Sequence, residues 1–272
     1  MIEFGAHLGY QFNEVPFKDR FELAHLHGYK NVEFPNPYII EKEELADLLK
    51  MYSLNLVQFA TPQGKEGEKG FAAIPGRSVE FRESLDKAID YAKFLDCKMV
   101  HPMSGCESIS CRGDWDTYLK NIQLCAEIFT DNNLVVLLEV MSLPTIKGYF
   151  LHSYELYSAL MSKIPDGSIG LLFDTWHAKV IYDDVMHPLV KFYNSIKHIH
   201  ISDYPGRHEP GTGNLDFDSI FQFLNDNNYA GVVGCEYEPL TSTEASIEFI
   251  KRVKHKFLGR KEESILGGVI NP

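Results

Sequence analysis

Short apolar runs alternate with amphipathic stretches from one end of the chain to the other. The runs near 2–8, 30–35, 54–60, 97–103, 134–140, 168–174, 196–202 and 231–237 carry β-branched residues, and several lead into turn formers. They predict strands. Helical spacing fills the intervals at 17–27, 41–52, 79–95, 115–132, 153–163, 187–194, 217–227 and 243–256. Within 81–92, Phe81, Leu85, Ala88, Ile89 and Ala92 recur every three or four residues, as in a helix that buries one face. Eight such βα units in 272 residues predict an α/β fold: a single (β/α)8 TIM barrel over 1–258, followed by a tail at 259–272. An open doubly wound sheet would want a glycine-rich turn after the first strand. The chain there reads His7-Leu8-Gly9-Tyr10-Gln11-Phe12, so the barrel is preferred.

Four strand candidates of the second half end on a chemical group: Glu139, Asp174, His200 and, after Val232-Val233-Gly234-Cys235, Glu236. Charged groups are rarely buried unless they are paired or bind metal. In a parallel barrel the strand C-termini share one mouth, so the four are expected to converge there. Three carboxylates and an imidazole form a mostly hard donor set, suited to one Mg2+ or Mn2+ ion and tolerant of Co2+ or Zn2+. The opposing expectation is that each carboxylate pairs with a Lys or Arg. His177 follows Asp174 closely, Arg207 and Glu209 lie in a turn after the seventh strand, and His7 and His101 close the first and fourth. These are candidate substrate contacts. His198 is expected in the core; His25, His27, His187 and His255 belong to helical faces; Glu33 and Glu238 stay open.

The net charge of −12 opposes loose attraction to nucleic acid or anionic membrane. A small anionic substrate is still compatible with it. Five cysteines form no CxxC pair. Cys97 and Cys235 are expected in the core, and no His–Cys spacing supports a zinc clip at Cys106 and Cys111. With no disulfide framework, no apolar run of membrane-spanning length and no basic-then-apolar leader at Met1-Ile2-Glu3-Phe4-Gly5, a soluble cytoplasmic protein is expected. The segment 62–77, PQGKEGEKGFAAIPGR, is either a lid that brings Lys65, Lys69 and Arg77 over an anion or a solvated connector. The apolar tail residues 265–270 either fray or dock on a neighbouring subunit of a homo-oligomer.

Several motifs together resemble the xylose isomerase-like TIM barrels, and within them the hydroxypyruvate isomerase branch. They are Asn13-Glu14-Val15-Pro16-Phe17 with Asp19-Arg20-Phe21, Gly70-Phe71-Ala72-Ala73-Ile74-Pro75-Gly76-Arg77, Gly148-Tyr149-Phe150-Leu151, Phe173-Asp174 with His177-Ala178, Gly234-Cys235-Glu236-Tyr237, and the highly specific Pro205-Gly206-Arg207-His208-Glu209-Pro210-Gly211-Thr212-Gly213. The resemblance runs from about residue 5 to residue 250. It implies that Glu139, Asp174, His200 and Glu236 hold one divalent metal, that Glu139 and Glu236 transfer protons, and that His177 and Arg207 contact substrate oxygens. The implied activity is aldose–ketose isomerisation of a short hydroxy-oxo acid through an enediolate, hydroxypyruvate to tartronate semialdehyde by preference, with Arg207 and Lys69 or Arg77 holding the substrate carboxylate. Three positions depart from the pattern: His200 where that branch often has Gln, Val140-Met141-Ser142 where it has Pro-hydrophobic-Asn, and Ala60 where Asn is expected. They leave a 2-oxotetronate isomerase and a ketose 3-epimerase as competing readings. A metal-dependent AP endonuclease is remote, because it would want more metal ligands and a basic face.

Overall fold

Parallel strands whose two faces are both covered read as nearly continuous apolar runs, and that pattern closes here into a ring. The computed structural model describes residues 2–107, 112–164 and 167–256. Its strands are β1 (Glu3–His7), β2 (Asn31–Glu33), β3 (Asn55–Leu56), β4 (Gln58–Ala60), β5 (Met99–His101), β6 (Val135–Glu139), β7 (Ile169–Asp174), β8 (Ile196–His200) and β9 (Val232–Cys235). The sheet order is β3-β2-β1-β9-β8-β7-β6-β5-β4, with every neighbouring pair parallel. Only Val57 separates the two end strands, and its N–H donates to Val32 O at 2.9 Å. Residues 55–60 therefore bond to β2 on one side and to β5 on the other. Counted as one stave, they give the expected eight and join the sheet's ends.

The helices follow the predicted spacing. In α3 (Ser78–Phe94), Phe81, Leu85, Ala88 and Ala92 are buried, with Ile89 partly buried against the core. Each large side chain so buried stabilises the fold by about 1.5–3 kcal/mol. Side-chain caps start several helices: Asp114 accepts from Thr117 N ahead of α4 (Trp115–Asp131), and Ser153 accepts from Leu156 N ahead of α5 (Tyr154–Met161). One helix was not expected. α6 (Thr175–Tyr182) begins directly at the end of β7, before α7 (Met186–Phe192). Its β-branched and aromatic residues give little helical signal, and its cap is the candidate ligand Asp174. The last predicted helix bends at Ile247, leaving α9 (Thr243–Ser246) and a helical stretch at 248–256.

At the C-terminal mouth, three connections are stitched into one wall. Gly70 bridges Ser104, Gly105 N donates to Lys69 O, Ala73 N to Ser104 O, Phe150 N to Gly105 O, and Cys106 bridges Tyr149. Phe71, Ala72, Ala73 and Ile74 are buried, so the inner half of 62–77 is not a solvated connector. Gly70 has φ +99°, and a Cβ there would meet Met103 O at 2.2 Å, so only glycine fits. Among the described residues no helix is long and apolar enough to cross a membrane. Cys111 and the tail 259–272 lie outside the described residues.

Candidate functional site

Neighbouring strand ends carry the four expected donors. Glu139, Asp174 and His200 are the last residues of β6, β7 and β8, and Glu236 follows β9 by one residue. Asp174 and His200 are register partners, and one donor atom from each of the four side chains lies within 4.8 Å of the others. His200 Nδ1 is 3.3 Å from Glu236 Oε2 and 4.0 Å from Glu139 Oε1. Asp174 has two roles: its Oδ1 caps α6 by accepting from His177 N at 3.0 Å, while its Oδ2 points away from that cap without a hydrogen-bond donor.

The electrostatics fit a cation at this point. Burial, reinforced by Glu236, raises the Glu139 carboxyl well above its ordinary range. Burial also raises Asp174, to about 7, against the pull of Arg207. Burial alone would raise Glu236 too, but His200 and Arg207 beside it hold it well below the usual value. His200 shows the reverse: burial would lower it, and Glu33 and Glu236 outweigh that and raise it. Glu139 Oε1, Asp174 Oδ2 and His200 Nδ1 are buried without hydrogen-bond partners. Three orphaned donors from three strand ends, crowded with like charge, suit a hard divalent ion. The Lys or Arg pairing expected as the alternative is met only by Arg207, whose Nη2 lies 3.0 Å from Glu236 Oε2 and 3.6 Å from Asp174 Oδ2. One guanidinium shared by two carboxylates leaves Glu139 without a cationic partner of that kind.

Arg207 is held by its loop. The buried Asp203 accepts backbone N–H groups on both oxygens: Tyr204 and Leu215 on Oδ1 at 2.8 and 3.0 Å, Gly211 and Gly213 on Oδ2 at 2.8 and 2.9 Å. Arg207 N donates to Asp203 O, and its guanidinium lies 5.7 Å from the Tyr10 ring centroid and 5.9 Å from that of Trp176. Charge-assisted bonds of this kind contribute about 1.5–3 kcal/mol each and are not additive. Asp203→Ala is expected to lower stability by about 3–5 kcal/mol, read by chemical denaturation, and to free Arg207 from its place.

His177 is positioned as a neutral donor. Burial first, then Arg207, pushes its imidazole down to about 3. Ser142 N–H donates to its Nδ1 at 3.1 Å, which leaves the ring proton on Nε2, 3.9 Å from Glu139 Oε1. His101 is likewise pushed down to about 3, mainly by burial, and its Nδ1 lies 3.9 Å from Glu139 Oε2. His7 Nε2 lies 3.6 Å from Glu236 Oε1. All three, with Glu139, His200, Glu236, Arg207 and Lys69, line a cavity of about 510 Å³, while Asp174 lies beneath its floor.

Two expectations need correction. Arg77 does not line the cavity: it pairs with Glu68 and Glu80 and lies on the Phe71 ring. Glu209 instead receives Leu240 N, a structural bond. His198 is a core histidine as expected, with its Nε2 2.6 Å from Glu33 Oε2, and the open question over Glu33 resolves to full burial. Cys97 and Cys235 are buried, and Cys106 lines the cavity. Sequence reasoning missed Lys147, Gln58 and Tyr10 in the lining, and Asp203 beneath Arg207. Lys147 reaches the mouth on a stitched loop, Gln58 on β4, and Tyr10 and Asp203 on the turns after β1 and β8, and no spacing rule marks them.

The profile of the xylose isomerase-like TIM barrel family matches residues 21–253. A 2-oxo-tetronate isomerase of Haemophilus influenzae is 33% identical over 258 residues, covering 93% of this chain and 100% of the relative. The hydroxypyruvate isomerase of Escherichia coli is 31% identical, covering 92% and 98%. Among solved structures, an AP endonuclease, family 2, from Brucella melitensis is 34% identical with a TM-score of 0.88, covering 93% of this chain and 99% of its own.

Proposed function

The chain belongs to the xylose isomerase-like TIM barrels, and from that premise we propose a metal-assisted isomerase that converts hydroxypyruvate to tartronate semialdehyde, with 2-oxotetronate as the competing substrate. The observation that carries this reading is the convergence of Glu139, Asp174, His200 and Glu236 within 4.8 Å at the base of one cavity, which all but Asp174 line. An enzyme of the isomerase class agrees with both named isomerases among the relatives. The nuclease name of the Brucella protein gains no support from a chain of net charge −12.

A divalent ion held by Glu139, Asp174, His200 and Glu236 would supply positive charge beside the adjacent carbonyl and hydroxyl oxygens of the substrate. The rest falls to side chains. One of Glu139 and Glu236 takes the proton from the hydroxyl-bearing carbon, and the C–H electron pair moves toward the neighbouring carbonyl to give an enediolate. The hydroxyl proton passes from its oxygen to the former carbonyl oxygen, and that carboxyl, or its partner, returns a proton to the former carbonyl carbon, so one hydrogen has moved between the carbons and one between their oxygens. The Nε2–H of His177 points toward Glu139 and would stabilise charge on a substrate oxygen. Arg207 Nε is buried without an acceptor and is free to donate to the substrate.

Lys69 and Lys147 support an anionic substrate. Both line the cavity, and neither forms an ion pair among the described residues. The stitched wall brings them to one rim, because Lys69 O accepts from Gly105 N and Glu107 N donates to Gly148 O. Removing both charges (Lys69→Ala with Lys147→Ala) is expected to raise KM for the acid about 10- to 100-fold with kcat little changed. The direct test is a panel of hydroxypyruvate, 2-oxotetronate and neutral ketoses with metal-stripped and re-metallated protein. Metal-restored turnover of hydroxypyruvate supports the proposal, and turnover of 2-oxotetronate alone moves the substrate. Turnover of neutral ketoses alone would shift the protein to the epimerases.

A further inference from the structure

Glu33 ends β2 on the far side of the barrel from the β7 and β8 donors, yet its carboxylate reaches into their midst and is fully buried. Its Oε2 lies 2.6 Å from His198 Nε2, 3.0 Å from Gln58 Nε2 and 3.3 Å from His200 Nε2. The last contact is the informative one. His200 has only two ring nitrogens, and the other, Nδ1, is the one that faces Glu236 and Glu139. Neither nitrogen makes a hydrogen bond among the described residues, and each faces carboxylate oxygen at 3.3 Å: Nε2 the single buried carboxylate of Glu33, and Nδ1 the donor cluster.

We propose that Glu33 is a positioning residue: it accepts the Nε2 proton of His200 and so turns the Nδ1 lone pair toward the metal donors. The inference rests on the metal reading above and adds a residue outside the four-donor set. Metal-binding histidines commonly give their second N–H to a carboxylate, which fixes the tautomer and raises the basicity of the ligating nitrogen.

The backbone is built around this contact. Gly234 is the register partner of His200, and a Cβ at that position would lie 1.7 Å from Glu33 Oε1 and 2.9 Å from His200 Cδ2. Gly234 has no positive φ, so glycine is required there for space and not for conformation. The missing side chain is the slot through which the Glu33 carboxylate reaches His200. Gln58, from β4, donates to the same carboxylate oxygen and holds it from the other side.

A purely structural alternative is available, in which Glu33 serves only as the partner of His198. Two variants separate the cases. Chelator-treated protein would be titrated with Mn2+ by calorimetry, with circular dichroism reporting the fold. Glu33→Gln is expected to weaken Mn2+ binding about 10- to 100-fold, whereas His198→Gln, which leaves the His200 contact in place, should stay within about threefold of wild type. Equal Mn2+ affinity in folded Glu33→Gln and wild type overturns the positioning role, and so does an equal loss in both variants. If Glu33→Gln does not fold, 15N spectra of the histidine rings in Mg2+-loaded wild type decide. The proton of His200 on Nε2 supports the proposal, and a proton on Nδ1 overturns it. Wild-type protein that binds no Mn2+ removes the metal reading itself, and this inference with it.

Discussion

Glu236→Gln is expected to lose turnover by at least about 10²–10⁴-fold while the protein stays folded, and Glu139→Gln to do the same. Glutamine keeps the shape and one acceptor oxygen of each side chain. It cannot take a proton from carbon and is a poorer ligand for a hard cation. Because each glutamate is assigned both tasks, the loss should lie at or beyond the upper end of that range. The two variants should differ in stability without metal. Burial raises the Glu139 carboxyl above its unfolded value, so its ionisation opposes folding at neutral pH, and Glu139→Gln should leave stability unchanged or higher. Glu236 is held low by His200 and Arg207, so its charge contributes stability above the unfolded carboxyl pKa and loses it as pH falls through the folded value. Glu236→Gln should therefore melt lower at neutral pH. The checks are steady-state rates with metal content measured on the same samples, and thermal melts in chelator. A Glu236→Gln enzyme that carries metal and turns over near the wild-type rate would end the assignment.

Much of this site was legible because its residues sit where periodicity speaks most clearly. Val135–Glu139, Ile169–Asp174 and Ile196–His200 are apolar runs ending on a polar side chain. A parallel strand's C-terminal residue has a known destination once the barrel is inferred. Glu236 needed only the same step at Val232–Cys235. Glu33 stood in an equivalent place, at the end of Asn31–Glu33, but two of its three partners, His198 and His200, come from a single strand 165 or more positions along the chain. Its role depends on the space beside Gly234, and no local pattern shows that space. Lys147 and Asp203 stayed hidden for a similar reason, because loops report chemistry through tertiary hydrogen bonds and not through spacing. The helix Thr175–Tyr182 gives little local signal, because its residues are largely β-branched or aromatic and its cap also ends an apolar run. One oxygen of Asp174 caps the helix, and the other, without a hydrogen-bond partner, is left for the proposed cation.

Removing the metal should abolish turnover and also make the fold less stable, with both effects restored by Mg2+ or Mn2+. The second effect follows from linkage: an ion at 100 times its dissociation constant stabilises the native state by about 2.7 kcal/mol. For a chain of this size that corresponds to a melting shift of about 5–10 °C. The dependence on pH gives a sharper check. Ligands must shed their protons to bind a cation. Burial lifts Asp174 to about 7 and Glu139 well above its ordinary value, so protons compete for these carboxylates near neutrality. Metal affinity should accordingly rise steeply as pH increases through 7, whereas exposed carboxylates would already be bare several pH units lower. Calorimetric titration with Mn2+ at a series of pH values reads this directly, alongside melts with and without chelator. A flat affinity from pH 6 to 8 would mean that the cation does not sit among these buried carboxylates. Full activity in protein shown by elemental analysis to hold no metal would mean that the cluster is a hydrogen-bonded network whose chemistry needs no ion.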